Sequence, residues 1–301
     1  MVDFKNEALV STAWLADNLG APDLRVVDAS YYLPGEGLDP RQEFEAQHIP
    51  GAVFFDIDAI KDPANDLPHM VPPPHIFSSK VRKLGLGDGL RLVIYDQRGL
   101  FSAPRVWWTF RYFGHEDVAV LDGGLPKWLN EGRPVEDGPA RPEERHFTPR
   151  VNSMLLRDRG QMLENLTRQN EQVVDARGAG RFEGRDPEPR QGLRAGHIPG
   201  SRNLPFTEMF DPATQTLRDA AALKTRFAAA GVDLDKPVVT TCGSGVTAAV
   251  LALGLHRLGH RDVAVYDGSW SEWGLEGDTP VATGPAPGGT AASGQPKTDR
   301  A

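Results

Sequence analysis

The sequence contains a single cysteine, Cys242, among its 301 residues. One cysteine cannot form an internal disulfide, so the chain lacks the covalent framework that is typical of small secreted proteins. Its eight histidines form no cluster with the ligand spacing of a zinc site. We therefore expect no structural metal, and we expect the protein to work in the cytoplasm.

Long apolar runs and an excess of positive charge are also missing. No stretch approaches the roughly 18 apolar residues that a membrane-spanning helix needs, and residues 1–19 lack the pattern of a secretory signal. The net charge is −8, from 33 basic and 41 acidic side chains. This balance gives no general attraction to nucleic acid or to an anionic membrane, so we expect neither as a partner.

The chain contains an internal repeat. Three segments recur in the same order, 147, 149 and 145 residues later: Val26–Ser30 as Val173–Arg177, His48–Ala52 as His197–Ser201, and Asp117–Gly124 as Asp262–Ser269. A period of this length predicts two copies of one domain rather than a solenoid. We place the copies at residues 8–137 and 161–278. A linker rich in Pro, Arg and Glu is predicted at 138–160, and a disordered tail rich in Gly, Ala and Pro at 279–301.

Each copy alternates short apolar runs with helical patterns. The predicted buried strands are residues 24–28, 92–95 and 118–121 in the first copy and 172–175, 238–241 and 263–266 in the second. Residues 246–258 are predicted to form the helix between the last two strands. The alternation predicts an α/β fold, in which each copy is a mainly parallel sheet flanked by helices. Such sheets bind ligands at the carboxyl ends of their strands.

Cys242 directly follows a predicted strand and begins the loop Cys-Gly-Ser-Gly-Val-Thr before a helix. The glycines let the backbone curl so that several N–H groups point inward, and the start of the helix adds positive potential. Both features favour the nucleophilic thiolate. A lone cysteine in an arbitrary cytosolic protein is more often a small buried hydrophobic residue. This position favours a nucleophile instead, and since Asp96 occupies the aligned position, only the second copy can perform thiol chemistry.

These motifs resemble those of the two-domain rhodanese family of sulfurtransferases, over about residues 8–278. The segments that carry the resemblance are His48–Ala52 and Asp122–Leu125 for an inactive N-terminal domain, and His197–Gly200 and Tyr266–Trp270 for a catalytic C-terminal domain. The cysteine loop is similar to that of family members acting on 3-mercaptopyruvate. Members that prefer thiosulfate carry basic residues after the cysteine, which suit a dianion, whereas Gly243 and Ser244 offer no positive charge.

The resemblance implies further site residues around Cys242. Arg181 and Arg190 match the positions that hold the substrate carboxylate, a group that a guanidinium can bind with two N–H donors. Ser244, His69 and Asp58 match a Ser–His–Asp arrangement for proton transfer. The loop residues expected to bind substrate are Gly243, Gly245, Val246 and Thr247. From the residues alone, Asp58 fits a turn or cap equally well, and His69 fits an ordinary loop position.

The activity implied by the resemblance is a two-step covalent transfer that needs no metal or organic cofactor. The Cys242 thiolate takes sulfur from 3-mercaptopyruvate, pyruvate leaves, and the persulfide passes its outer sulfur to a thiol acceptor. That acceptor is a small thiol, thioredoxin or, in the test tube, cyanide. The alternatives are a thiosulfate sulfurtransferase and a non-catalytic binding module. A cysteine phosphatase would need an arginine six residues after the cysteine, where this chain has Ala248.

Three other patterns have structural interpretations. His48 and His197 occur in both copies, including the copy without a thiol, so we expect them to shape a turn. Trp107 and Trp108 lie on a predicted helix of the first copy and are expected to pack at the domain interface. Arg177 follows the strand at 173–175 and is a weaker candidate for substrate binding than Arg181 or Arg190.

Overall fold

The computed structural model describes residues 3–33, 35–140 and 142–286. The elements of the first domain are β1 (Leu9–Val10), α1 (Thr12–Asn18), β2 (Leu24–Asp28), α2 (Pro40–Ala46), β3 (Ala52–Phe54), α3 (Pro74–Lys83), β4 (Arg91–Tyr95), α4 (Ala103–Tyr112), β5 (Val118–Leu121) and α5 (Gly124–Asn130). The elements of the second are β6 (Leu156–Arg157), α6 (Arg159–Arg168), β7 (Gln172–Asp175), α7 (Ala179–Phe182), β8 (Arg202–Asn203), α8 (Ala220–Ala229), β9 (Val238–Thr241), α9 (Ala248–Arg257), β10 (Ala264–Tyr266) and α10 (Ser269–Trp273). Two 3-10 turns occur at Ser153–Leu155 and Phe206–Met209.

Each domain is built on a parallel five-stranded sheet, in the order β1-β5-β4-β2-β3 for the first and β6-β10-β9-β7-β8 for the second. The two orders are equivalent, so the repeat in the sequence is also a repeat of topology. All six predicted strands are present to within one residue at each end. Their Val- and Leu-rich sequences suit strands that helices cover on both faces. The prediction of two tandem α/β domains is therefore confirmed.

The two domains meet through α4 and α9, which pack against each other. Every residue from Ala103 to Arg111 and from Ala248 to His256 is buried. A helix that is apolar and buried on all faces needs neighbours on all faces. Here one face of each helix packs on its own sheet and the other packs on the second helix. Trp107 lies edge-on to His256 at 5.3 Å, which confirms the predicted interface role of this tryptophan.

The packing of α4 on α9 brings the loops at the carboxyl ends of the two sheets together. The Asp-Gly turn of each domain accepts a backbone N–H from the other domain. Asp122 accepts from Leu217 at 2.8 Å, and Asp267 accepts from Val71 at 2.8 Å. The duplicated turns therefore make equivalent contacts across the interface, and any site on one sheet edge is lined by the other domain as well.

The segment between the domains lies along the first domain rather than crossing open solvent. Phe147 is buried in the core, and the N–H of Arg150 donates to the Phe113 carbonyl at 2.8 Å. The predicted linker at 138–160 extends too far, because β6 at residues 156–157 already pairs with β10. A two-residue edge strand has too little periodicity to be recognised in a polar sequence.

The predicted disordered tail also begins too early. Ala282 and His197 exchange two backbone hydrogen bonds, at 2.8 and 3.0 Å. The indole N–H of Trp273 donates to the Pro280 carbonyl at 2.8 Å. Residues 279–284 are therefore held by their backbone, which a composition of small residues does not reveal. Residues 287–301 of the predicted tail lie outside the described residues.

His48 and His197 have the same structural role in the two copies, as predicted. The ring of His48 stacks on Phe44 at 4.0 Å, with its Nδ1 2.7 Å from the Phe44 carbonyl oxygen. The ring of His197 stacks on Phe182 at 3.7 Å, with its Nδ1 2.8 Å from the Phe182 carbonyl oxygen. Within the described ranges, no helix is long and apolar enough to cross a bilayer.

Asp28 is a buried carboxylate whose environment differs between the copies. Its counterpart in the second domain, Asp175, is paired with Arg177, but the position of Arg177 is occupied by Ser30 in the first domain. Oδ1 of Asp28 accepts the Ser30 N–H at 2.8 Å, while Oδ2 accepts no well-aligned hydrogen bond from a described residue. Burial raises the pKa of Asp28 to about 6, against the weaker opposing effect of Ser30 and Tyr95.

We predict that Asp28→Asn stabilises the protein at neutral pH but not in acid. Because the folded-state pKa lies above the unfolded value, the free energy of unfolding of the wild type falls as pH rises from about 4 to about 6. The neutral amide removes this loss, for a gain of about 3 kcal/mol well above pH 6, because each pKa unit is worth about 1.4 kcal/mol. Urea denaturation of both proteins at pH 4.5 and pH 7.5 measures the difference. A difference that is the same at both pH values would contradict the prediction.

Candidate active site

Cys242 lies between β9 and α9, at the carboxyl end of the central strand of the second sheet. Its side chain is buried, with a relative exposure of 1%. Its N–H donates to Ser269 Oγ at 3.2 Å, and its carbonyl accepts the Trp270 N–H at 3.0 Å. These bonds anchor the start of the loop to α10, so the sulfur sits at a defined place on the sheet edge.

The backbone after Cys242 has unused hydrogen-bond donors. None of the N–H groups from Gly243 to Ala248 donates a hydrogen bond within the described part of the chain. Buried backbone N–H groups without a partner are costly. Four residues of this run, Ser244, Gly245, Val246 and Ala248, are buried, so the run indicates a place that an anion or water occupies. The start of α9 adds the positive end of a helix at the same place.

The first domain shows what such a loop can hold. Asp96, aligned with Cys242, is buried, and its carboxylate accepts four backbone N–H groups at 2.8–2.9 Å, from Arg98, Phe101, Ser102 and Ala103. In the first copy a carboxylate of the chain itself therefore fills the cradle at the start of α4. In the second copy the corresponding donors are free, and the side chain beside them is a thiol.

A cavity of about 90 Å³ opens at Cys242. Its walls come from both domains, with Tyr31, Leu33 and Phe101 from the first and the remaining residues from the second: Ala176, Arg177, Gly178, Arg181, Pro189, Arg190, Phe206, Cys242, Gly243, Ser244, Val246 and Thr247. This volume suits a molecule of a few heavy atoms rather than a large cofactor. A larger surface cleft, of about 740 Å³, lies near Arg157 and Glu171, away from the thiol.

Arg181 reaches the cysteine loop and is held there by an ion pair. Its Nη2 lies 2.6 Å from Glu188 Oε2 and its Nε lies 3.3 Å from Oε1. A Cβ added to Gly243 would lie 3.1 Å from the same Nη2, so the glycine leaves room for the guanidinium. Glu188 has a side-chain exposure of only 3% and is also paired with Arg177 at 2.8 Å. Glu188 thus bridges the two arginines.

Arg177 uses four of its five N–H donors in contacts with other described residues. It pairs with both Asp175 and Glu188, donates to the Gly196 carbonyl at 2.8 Å, and stacks on Trp270 at 4.3 Å. Although it lines the cavity, its role is to hold Glu188. This geometry agrees with the prediction that Arg177 is a weaker candidate for substrate binding than Arg181 or Arg190.

Arg190 differs from Arg181 in its charge environment. No described carboxylate lies within ion-pair distance of its guanidinium. Its polar neighbours are His69 Nε2, at 3.4 Å from Nη2, and the Tyr31 hydroxyl. A half-buried guanidinium without a counterion, beside a small cavity, is suited to bind an anionic ligand.

His69 and Asp58 lie close together in the first domain. Nδ1 of His69 is 3.2 Å from Asp58 Oδ1, although the angle is poor for a hydrogen bond. Burial lowers the pKa of His69, and the neighbouring Asp58 opposes this effect. The same contact lowers the pKa of Asp58. The imidazole does not line the cavity itself, but it contacts Arg190 and stacks edge-on against Tyr31 at 4.8 Å.

The remaining predicted loop residues divide into two groups. Ser244, Gly243, Val246 and Thr247 line the cavity, but no hydrogen bond joins Ser244 to His69 among the described residues. Gly245 is not part of the cavity wall. It has a φ of +78°, and a Cβ there would meet Arg105 Nη1 and the Asp267 carbonyl, both at 2.9 Å. Gly245 therefore shapes the loop, and its contact with substrate stays a prediction.

Sequence reasoning did not identify Tyr31, Arg105, Glu188 or Asp267. The available signal for Arg105 is a charged residue in a predominantly apolar helix. Asp267 belongs to the Asp-Gly turn that occurs in both copies, so the repeat alone gives it no role specific to the second copy. Among the described residues, no group of three His, Cys, Asp or Glu side chains is arranged to bind a metal ion.

Two stretches of the chain, residues 11–131 and 158–276, match the family model of the rhodanese-like domain. The chain belongs to the rhodanese family. The two matched stretches correspond to the two parallel-sheet domains of this rhodanese-family protein.

Several rhodanese-family relatives are similar over most of their length. The chain is 48% identical to 3-mercaptopyruvate sulfurtransferase of Mus musculus over 272 residues, covering 88% of this chain and 91% of the relative. It is 46% identical to thiosulfate sulfurtransferase of Bos taurus, with the same coverage. The crystal structure of SseA, a 3-mercaptopyruvate sulfurtransferase from Escherichia coli, is 40% identical with a TM-score of 0.81, covering 88% of this chain and all of that one. Overall identity therefore does not separate the two donors.

We predict that Glu188→Gln lowers the free energy of unfolding by about 3 kcal/mol, because it leaves Arg181 and Arg177 sharing a buried neutral partner. The matched control is Glu183→Gln in the same loop, which breaks the exposed pair with Arg185 and is expected to cost less than about 1 kcal/mol. Urea denaturation of the three proteins gives the comparison. Equal losses for both variants would show that the bridge has no special role.

Proposed function

We propose that this protein is a sulfurtransferase that takes sulfur from 3-mercaptopyruvate through a persulfide on Cys242. The observation that carries the proposal is the open cradle of six N–H groups beside the thiol, next to two guanidinium groups. The N–H groups suit the negative charge of a thiolate or persulfide, and the guanidinium groups suit the carboxylate of a small donor.

In the first step the Cys242 thiolate attacks the thiol sulfur of 3-mercaptopyruvate. A sulfur–sulfur bond forms and the carbon–sulfur bond breaks. The electron pair of the broken bond goes to C3, which gives the enolate of pyruvate. Protonation of that carbon completes pyruvate, and the transferred sulfur stays on Cys242 as a persulfide.

Arg190 and Arg181 bind the donor carboxylate in this scheme. Arg190 supplies a guanidinium without a counterion, and Arg181 supplies the N–H groups that Glu188 does not occupy. His69, kept neutral by its burial, takes or returns a proton near neutral pH, and Asp58 orients its ring. Ser244 lies at the cavity wall, where its hydroxyl contacts the transferred sulfur. Gly243, Val246 and Thr247 contribute the cradle.

In the second step a thiolate acceptor attacks the outer sulfur of the persulfide. The acceptor becomes a persulfide and the Cys242 thiolate is regenerated, so no oxidant or reductant is consumed. The small cavity favours either a small thiol or a cysteine on a protruding loop, as thioredoxin would present. Cyanide is small enough to serve as acceptor in an assay. A single thiol without a disulfide partner also suits the reducing cytoplasm, which stays the predicted compartment.

Thiosulfate is the second candidate donor, since relatives of nearly equal identity carry either name. Its sulfonate end is a compact anion that needs positive charge directly beside the thiol. The two residues after Cys242 are neutral, and Arg181 is partly neutralised by Glu188. The loop therefore favours the carboxylate donor. A non-catalytic module would be expected if both copies had lost the thiol, as the first copy has.

The first prediction of this proposal concerns the nucleophile and the donor. With cyanide as acceptor, 3-mercaptopyruvate is expected to have the higher kcat/KM of the two donors. Cys242→Ala should lose more than about 10³-fold in kcat with either donor, as removal of a nucleophile does. Steady-state rates of thiocyanate formation provide the measurement. Retained activity in Cys242→Ala would remove the persulfide from the mechanism, and a preference for thiosulfate would overturn the donor assignment.

The second prediction concerns the unpaired guanidinium. Arg190→Ala should lower kcat/KM for 3-mercaptopyruvate by about 10- to 100-fold, the value of one charged hydrogen bond. Alkylation of Cys242 by neutral iodoacetamide should change much less, because that reagent has no carboxylate. Arg185→Ala, in the same loop but paired with Glu183 on the surface, is the control. Equal effects on turnover and alkylation would exclude carboxylate binding as the role of Arg190.

A further inference from the structure

Arg105 is a buried arginine in the first turn of α4, where the two domains meet. Its relative exposure is 3%. Its Nη2 donates to the His69 carbonyl at 2.6 Å and to Asp267 Oδ1 at 2.7 Å, and its Nη1 donates to the Gly245 carbonyl at 3.3 Å. One guanidinium thus contacts the backbone of the histidine loop in the first domain and the backbone of the cysteine loop in the second.

Both backbone segments that Arg105 contacts have unusual conformations. His69 has a φ of +61°, a left-handed conformation that side chains other than glycine adopt at a cost. Gly245 has a φ of +78°, and the space where its Cβ would lie is taken by Arg105 Nη1. Strained conformations persist only where neighbouring groups impose them, and the guanidinium is a neighbour that the two segments share.

The surroundings of Arg105 fix the guanidinium itself. Its plane lies over Trp108 at 4.6 Å, and Asp267 supplies the opposite charge. The second oxygen of Asp267 accepts the Val71 N–H at 2.8 Å, so the carboxylate is tied to the same loop as His69. The planar guanidinium serves the three acceptors from two nitrogens in a fixed geometry, whereas an ammonium group would have to reach all three from a single atom.

We propose that Arg105 is a positioning residue that sets the His69 loop and the Cys242 loop relative to each other across the domain interface. The proposal rests on the proposed function, in which His69 handles protons for chemistry at Cys242. Arg105 does not line the cavity, so it acts through these two loops and not on the donor. Its loss should therefore slow the chemical step, while donor binding by Arg190 and Arg181 is kept.

The simpler interpretation is that Arg105 only stabilises the interface. The chain offers a matched control in Arg111, which lies in the last turn of the same helix, is also buried, and stacks on Trp107 at 5.1 Å. Its polar contacts are His256 and the Arg261 carbonyl, at 3.0 and 3.3 Å. An interface role predicts similar consequences for the two arginines, and a positioning role does not.

The experiment compares Arg111→Met with two variants, Arg105→Met and Arg105→Met/Asp267→Asn. The double variant does not leave the Asp267 carboxylate buried without its partner. The comparison can therefore be made even if the single variant folds poorly. For the Arg105 variants we expect kcat with 3-mercaptopyruvate to fall on the order of 10²-fold, with little change in KM. Backbone amide exchange, measured by mass spectrometry, should accelerate in the segments that hydrogen-bond to the two loops. These are Val71, whose N–H donates to Asp267, and Ala249, Val250 and Ser271, whose N–H groups donate to carbonyls of the Cys242 loop. Arg111→Met should keep kcat and the exchange of these segments near wild-type values.

Similar kcat and similar exchange in the folded Arg105 and Arg111 variants would overturn the positioning role. A large rise in KM without a loss of kcat would also overturn it, because it would place Arg105 in donor binding. The exchange measurement does not depend on which sulfur donor the enzyme uses. Failure of the proposed function would appear as wild-type inactivity with 3-mercaptopyruvate, and the exchange comparison would still decide the role of Arg105.

Discussion

The packing of α4 against α9 is the contact on which the rest of the structure depends. Both helices are buried along nearly their whole length, so neither domain can cover its own helix alone. Burial of the Trp107 and Trp108 side chains alone is worth several kcal/mol at ~25 cal/mol per Å². Because each helix begins at the carboxyl end of its central strand, their packing forces those two sheet edges together. The thiol of one copy therefore faces the Tyr31, Phe101 and His69 side of the other.

Charge at this interface is balanced almost everywhere. Arg105 is paired with Asp267, and Arg177 and Arg181 share Glu188. Buried charges are tolerated when they are paired and hydrogen-bonded, and these are. Arg111 is an exception that contacts His256 and the Arg261 carbonyl instead of a carboxylate. Arg190 and the six N–H groups after Cys242 also lack a carboxylate partner among the described residues, and both lie beside the same cavity. A place where positive groups lack partners in an otherwise balanced interface is where an anionic ligand is expected.

The sequence predicts the parts of this arrangement that have a local signature. Apolar runs locate the six central strands, the repeat establishes two domains, and two glycines beside Cys242 indicate a nucleophile loop. Long-range partners have no such signature. Arg105 and Asp267 are 162 residues apart, and no sequence pattern near either residue predicts that the two form a pair. Residues 279–284 resemble a disordered tail because their contribution is backbone carbonyl and N–H groups, which composition does not report. The family resemblance suggested His69 and Asp58, which lie 3.2 Å apart.

Asp96 and Cys242 together explain how one fold serves two purposes. In both copies a tight loop runs into the start of a buried helix, and such a loop needs an acceptor for its backbone N–H groups. The first copy supplies that acceptor permanently as the Asp96 carboxylate, which makes its loop part of the fold. The second copy leaves the N–H donors open beside a thiol, and in the proposed function the sulfur anion or its ligand is their acceptor. In that proposal the chain omits an internal acceptor where the chemistry takes place. The choice of sulfur donor is then assigned to the residues around this place: the small Gly243, the half-neutralised Arg181, and Arg190, which has no counterion.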